Sequence, residues 1–165
     1  MTHIILKKIY KLYLSIIFKI WDLFNNNKTN FNWNFINKVL IFRLDRMGDF
    51  IATIPMISAL KQSYPKIKID ILTTKYTSDL ANNVEGINQV FIHPNDTKKL
   101  KNKYNLIIDP HFSPYLRYIK YAFLSFSLKG HFRLGYNIGI KAIFYNIRAK
   151  ISHAKRYEGE INLVF

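Results

Sequence analysis

Four charged side chains crowd one short turn, Arg43-Leu44-Asp45-Arg46-Met47-Gly48-Asp49. Arginine suits bidentate recognition of carboxylate or phosphate. Arg43 lies nearest the end of the preceding apolar run and is the better placed of the two arginines to meet a ligand. The same residues also fit a local Arg–Asp ion pair of small energetic worth. Asp49 reads as a helix N-cap, or as a first-turn acid favoured by the helix dipole. Gly48 permits a positive φ, or close approach of a ligand to the backbone. Further along, Asp109 and His111 follow a second apolar run. Strand ends on one edge of a parallel sheet face one crevice. Asp109 and His111 can therefore approach Asp49 despite their separation in sequence. Alternatively, Asp109 caps a helix after Pro114 and His111 lies on the surface.

The elements around these residues follow from apolar periodicity. Val39 to Phe42 is unbroken and apolar, as a strand buried on both faces requires. Ile51, Ile54, Ile57, Ala59 and Leu60 then recur at a helical period. The turn between them lacks the three-glycine dinucleotide fingerprint and the lysine of a phosphate-binding loop. Ile67 to Thr73 reads as a second strand, Ser78 to Asn83 as a short helix, and Gln89 to Ile92 as a third strand ended by His93-Pro94-Asn95. Tyr104 to Asp109 is a fourth strand with Leu106, Ile107 and Ile108 buried. Tyr115 to Leu128 is an aromatic-rich helix with Tyr118 and Tyr121 on one face. Phe132 to Leu134 is a short strand and Gly135 to Gly139 a loop. Ile140 to Ala149 is helix or extended, and a further helix begins near Ala154. Alternating strands and helices predict an α/β domain with a parallel sheet.

The stretch R-L-D-R-M-G-D followed by x-x-x-T-x-P-x-x-x-A-L resembles the first strand-turn-helix of the lipopolysaccharide heptosyltransferases, glycosyltransferase family 9. Arg43, Asp45, Arg46, Gly48, Asp49, Pro55, Ala59 and Leu60 carry the likeness. Ile107-Ile108-Asp109 with His111, Arg133-Leu134-Gly135-Tyr136, and His153 with Arg156-Tyr157 resemble later segments in the same order. The sequence departs at Phe112, where the family usually has glycine. The resemblance implies a Rossmann-like sheet, the N-terminal half of a two-domain GT-B enzyme. It implies that Asp49 is the general base that deprotonates an acceptor sugar hydroxyl. A carboxylate near a helix N-terminus stays ionised and can accept that proton. Arg43, Asp45, Arg46, Gly48, Asp109 and His111 are then the acceptor-binding set. The implied donor is a nucleotide sugar such as ADP-heptose, used without a metal or other cofactor. The implied acceptor is an acidic, lipid-linked saccharide.

The chain has 165 residues, about half of them apolar, and a formal net charge of +15. That length suffices for one domain with a core. The absence of cysteine excludes disulfides, cysteine-ligated zinc and thiol catalysis. The positive field attracts anions: nucleic acid, anionic lipid or phosphorylated substrates. Residues 1–24 predict an amphipathic helix. Lys7, Lys8, Lys11 and Lys19 share its polar stripe, and Trp21 is among the apolar residues. Lysines interrupt the apolar run, so a peripheral interface helix is expected rather than a span. A helix packed on its own domain is the alternative. Residues 25–37 read as an asparagine-rich linker and 38–165 as the Rossmann-like acceptor domain.

The expectation is thus half of a glycosyltransferase on the inner face of the cytoplasmic membrane. Phe165 falls where a linker to a donor domain would begin. A separate chain or downstream domain would bind the nucleotide sugar. Two rivals stand beside it: a non-catalytic, membrane-associated glycolipid-binding module, and a basic nucleic-acid-binding protein. The second has no recognisable motif, and its basic residues are spread rather than clustered.

Overall fold

The computed structural model describes residues 31–112 and 118–149. The amphipathic segment 1–24 with Lys7, Lys8, Lys11, Lys19 and Trp21 lies outside them. So do residues 113–117, His153, Arg156, Tyr157 and the helix expected from Ala154.

Among the described residues six strands form one parallel sheet: β1 (Lys38–Arg43), β2 (Lys68–Thr73), β3 (Ile87–Ile92), β4 (Leu106–Asp109), β5 (Phe132–Tyr136) and β6 (Ile147–Ala149). Their order is β3-β2-β1-β4-β5-β6. Val39 of β1 pairs with Ile69 on one side and Leu106 on the other. The helices are α1 (Met47–Ile51), α2 (Ile54–Ser63), α3 (Lys75–Asn82) and α4 (Ile119–Ser127). This is the doubly wound, Rossmann-like arrangement expected from the alternation of elements.

The central strand shows why the sequence chooses this fold. Val39, Leu40, Ile41 and Phe42 are all fully buried. Successive side chains point to opposite faces of a strand. Val39 and Ile41 join Phe50, Ile57 and Leu60 in one core. Leu40 and Phe42 join Leu72, Tyr104, Ile107 and Leu128 in the other. Truncating any one of these core side chains to alanine costs ~2–5 kcal/mol. A charge there breaks a layer.

Several expected boundaries shift for local reasons. The single helix expected after the turn is two, split at Ala52-Thr53, because Pro55 stands in the first turn of α2 and favours a fresh start there. The split rotates Ile51 outward, where it is 49 % exposed, and Phe50 takes the buried place. The third helix begins at Lys75 rather than Ser78. β5 runs on through Gly135 and Tyr136. The ambiguous segment 140–149 resolves into a 3-10 turn, Ile140–Phe144, followed by β6. Residues 31–37, read as the end of a linker, pack on the core: Ile36 is buried and Trp33 stacks on Tyr64.

Candidate functional site

Strand order reverses between β1 and β4, and open α/β sheets take ligands in the crevice at the carboxyl ends of such a pair. β1 ends at Arg43 and β4 at Asp109. The charged turn and the residues after β4 therefore meet at this edge.

Arg43 does not face the crevice. Its side chain is completely buried. Nε donates to Thr53 Oγ1, Nη1 to Asp45 Oδ2 at 3.2 Å, and Nη2 to the Pro110 carbonyl at 3.3 Å. The expected ligand contact is replaced by a brace that ties the end of β1 to the turn and to the segment after β4. The pair with Asp45 is not a surface pair of small worth. Removing one partner from a buried pair costs ~3–5 kcal/mol.

Asp109 is likewise interior. Its Oδ1 accepts hydrogen bonds from His111 Nδ1 and from the His111 backbone N–H, and its Oδ2 accepts one from the Tyr145 hydroxyl. Burial alone raises its carboxyl. The charge and hydrogen bond of His111, the charge of Lys141 and the Tyr145 hydroxyl outweigh that and hold it down to about 2. Burial, the charge of Asp109 and the bond to it push the Tyr145 phenol up. Lys141 is buried too, and its Nζ donates to the His111 carbonyl. Burial lowers that ammonium, against the pull of Asp109. His111 is 1 % exposed rather than superficial. Its ring stacks on Tyr121 at 4.9 Å and lies 5.2 Å from Tyr118.

The other side of His111 faces the turn. Nε2 lies 3.5 Å from Asp45 Oδ2, without hydrogen-bond geometry. Burial raises the Asp45 carboxyl; His111 and Arg43 pull it down, and the charge of Asp49 adds to the rise. Asp45 lines a shallow open pocket of about 150 Å³ with Arg46, Tyr118, Lys120 and Tyr121. Arg46, not Arg43, is the exposed arginine of the turn.

Asp49 sits in the first turn of α1, whose N-cap is Arg46. It is a first-turn acid, not a cap. Gly48 keeps a negative φ and does not use the left-handed freedom that glycine permits. A Cβ built there meets nothing within 4 Å, so the backbone at this point faces open space. The structure thus joins Arg43, Asp45, Asp109 and His111 in one network. Asp49, Gly48 and Arg46 stand on the same turn at its rim. Phe112 is 42 % exposed beside His111, with its ring edge-on to Tyr136.

Sequence reasoning missed Thr53, Lys141 and Tyr145. Thr53 stood within the T-x-P pattern. Lys141 and Tyr145 lay in the segment whose conformation stayed open, and no local spacing links them to Asp109.

Fold and site together define a Rossmann-like α/β domain with its charged turn at the topological switch point. This is the fold of the first domain of the two-domain heptosyltransferases of glycosyltransferase family 9. E. coli heptosyltransferase WaaC, solved with ADP, superposes with a TM-score of 0.66 at 21% identity over 76% of this chain and 44% of that one. A family 9 glycosyltransferase from Veillonella parvula gives 0.63 at 14% identity, covering 77% and 39%. In sequence, a Haemophilus influenzae protein described, provisionally, as a glycosyltransferase is 39% identical over 64 residues. That stretch is 39% of this chain and 18% of the relative. The chain spans less than half the length of each of these proteins. No protein-family model matches it.

Proposed function

We propose that this domain is the acceptor side of a sugar transferase of the heptosyltransferase type, with Asp49 as its general base. One observation carries the reading. The turn Asp45-Arg46-Met47-Gly48-Asp49 stands at the β1/β4 switch point of a fold shared with heptosyltransferases, with open space over Gly48.

In this mechanism Asp49 takes the proton of an acceptor hydroxyl as that oxygen bonds to the anomeric carbon of a nucleotide sugar. The bond from that carbon to the diphosphate breaks on the opposite face, the nucleoside diphosphate leaves, and the configuration inverts. A positioned base contributes roughly 10²–10⁴-fold to such a step. Arg46 is the exposed cation for phosphate or carboxylate groups of an acidic acceptor. Arg43, Asp109 and His111 hold the turn from beneath. The donor, such as ADP-heptose, is bound by a second domain, in the same or a separate polypeptide. Closure of the two excludes water and aligns the reactants. Metal-independent transfer is part of the proposal. Among the described residues no three His, Cys, Asp or Glu side chains group as a metal site. No helix among the described residues is long and apolar enough to cross a membrane. The lysine stripe of residues 1–24 would hold the protein peripherally on the inner face of the cytoplasmic membrane, where a lipid-linked acceptor resides.

The test incubates the chain, alone and with a donor-side domain, with ADP- and UDP-sugars and an acidic lipid-linked saccharide. Mass spectrometry of the acceptor reads the outcome. Transfer with the donor-side domain, lost in Asp49→Asn, supports the reading. No added sugar in either arm overturns it.

A further inference from the structure

Two polar atoms in this region are shielded from solvent and lack hydrogen-bond partners: Asp45 Oδ1 and His111 Nε2. Buried polar atoms are almost always paired, so an orphan needs a reason. These two belong to facing groups. Asp45 Oδ2 is 3.5 Å from Nε2, and the carboxylate is about nine-tenths buried. That gap exceeds an ordinary hydrogen bond by only roughly 0.3 Å. Behind the imidazole, Nδ1 is bound to the fully buried Asp109, itself held by Tyr145. In front, Asp45 reaches the pocket of Arg46, Tyr118, Lys120 and Tyr121.

We infer that Asp45, His111 and Asp109 form one proton-sharing relay. Its pocket end, Asp45, hydrogen-bonds a hydroxyl of the bound ligand, and His111 and Asp109 are positioning residues that act through it. The ligand class, a sugar-like polyol, rests on the proposed function; the relay itself does not.

The chemistry is that of a carboxylate with a tunable proton. A neutral carboxyl beside a neutral imidazole has the same net charge as a carboxylate beside an imidazolium. One proton can therefore sit on either group without changing the total. The Asp109 carboxylate accepts a hydrogen bond from Nδ1, which leaves Nε2 as the ring atom that faces Asp45. Other groups face Asp45 as well. Arg43 approaches from β1 and favours the anion, while Asp49 approaches from α1 and opposes it. Arg46, Lys120 and Tyr118 border the same pocket, and Tyr121 covers the His111 ring. Tyr121 also donates its hydroxyl to the Leu44 carbonyl at 3.1 Å, which fixes the turn against the ring. Ligand pockets commonly set a few precisely placed polar groups among aromatic side chains, as Asp45 is set among Tyr118 and Tyr121.

The experiment is an NMR pH titration of the full chain, following Asp45 13Cγ and the His111 ring nitrogens. In the parent, each should report a step at the other's midpoint, as interacting sites do. Asp109→Asn should move the Asp45 midpoint upward by about one unit. Asp96, in the loop after β3 and paired with Lys99, should not move. Independent single-step curves for Asp45 and His111 in the parent overturn the relay, even if no variant folds. So does an unmoved Asp45 midpoint in a folded Asp109→Asn. Glucose and glucose 6-phosphate then serve as probes. The Asp45 signal should shift with at least one of them, and Asp45→Asn should weaken that binding several-fold. An Asp45 signal indifferent to both at high concentration, or undiminished binding by the variant, overturns its ligand role. Loss of sugar transfer elsewhere leaves these readouts untouched.

Discussion

Thr53 Oγ1 accepts a hydrogen bond from Arg43 Nε and donates one to the Asp49 carbonyl at 2.9 Å. One buried hydroxyl thus fastens the last residue of β1 to the short helix that carries Asp49. Thr53→Val keeps the shape and removes both bonds, leaving a buried guanidinium N–H unpaired. Such an orphan costs ~1–3 kcal/mol. Urea unfolding should show a loss of that size, and Thr53→Ser should restore most of it. Equal losses for the two would place the effect in packing of the Thr53 methyl.

Gly135 lies against the ring of Tyr145: a Cβ built on it would come within 2.4–2.7 Å of three ring carbons. Tyr145 is anchored at its other end on Asp109. The ring therefore cannot yield without losing that bond. Gly135→Ala should destabilise the domain by ~1–3 kcal/mol, the usual range for overpacking. Gly48→Ala, with open space around it, should cost far less. Thermal unfolding of the two variants compares them directly.

These two positions show what the sequence could and could not reveal. Val39–Phe42 and Leu106–Ile108 announce buried strands because both faces of a parallel sheet are covered, so their residues are apolar without alternation. The charged turn is legible because it breaks such a run. The fate of Arg43 is not. An arginine at a strand end reads alike whether it meets a ligand or braces the interior. Beyond the neighbouring Asp45, it has partners 10 and 67 residues away. The interior role of Asp109 is hidden in the same way, since Lys141 and Tyr145 reach it from a segment with neither clear period. The helix register failed at Ile51 for a local reason: Pro55 restarts the helix and resets the phase.

Asp109 and Asp45 should respond oppositely to pH. Asp109 is held at about 2, below its ordinary 3.8. It therefore contributes stability above pH 4 that is lost as pH falls toward 2, worth about 2 kcal/mol. Asp45 is raised above 3.8, chiefly by burial. Its contribution is present below that value and is lost as pH rises through its folded value. Relative to the parent, Asp109→Asn should look worst at neutral pH. Asp45→Asn, which can still accept a bond from Arg43, should gain on the parent as pH rises above 4. Unfolding free energies across that window check both directions. Parallel curves for either variant would refute the corresponding assignment.

Residues 1–24 should bind anionic vesicles reversibly. Each basic residue near an anionic surface contributes ~1 kcal/mol, and the segment holds Lys7, Lys8, Lys11 and Lys19. Flotation should weaken at high salt and vanish when residues 1–24 are deleted. Flotation of the deleted form equal to that of the parent would place membrane contact elsewhere.

Asp49→Asn separates structure from chemistry at the turn. Asp49 stands in the first turn of α1 but does not cap it. Its backbone carbonyl, not its carboxylate, takes the Thr53 bond. Asparagine keeps the size and all backbone contacts, and it gives up only the favourable charge near the helix start, worth ~0.3–1 kcal/mol. It cannot take a proton. Paired with a donor-side domain, the variant should lose roughly 10²–10⁴-fold in transfer rate, while its melting temperature barely changes. Asp45→Asn is the companion. It should raise the acceptor KM more than it lowers kcat, because Asp45 is assigned to holding a hydroxyl rather than deprotonating one. Full turnover by Asp49→Asn would reduce Asp49 to a helix-dipole residue and leave the base to be found elsewhere. If instead Asp45→Asn lowers kcat by the larger factor, the proton leaves the acceptor through Asp45, and the relay behind it becomes the catalytic base system.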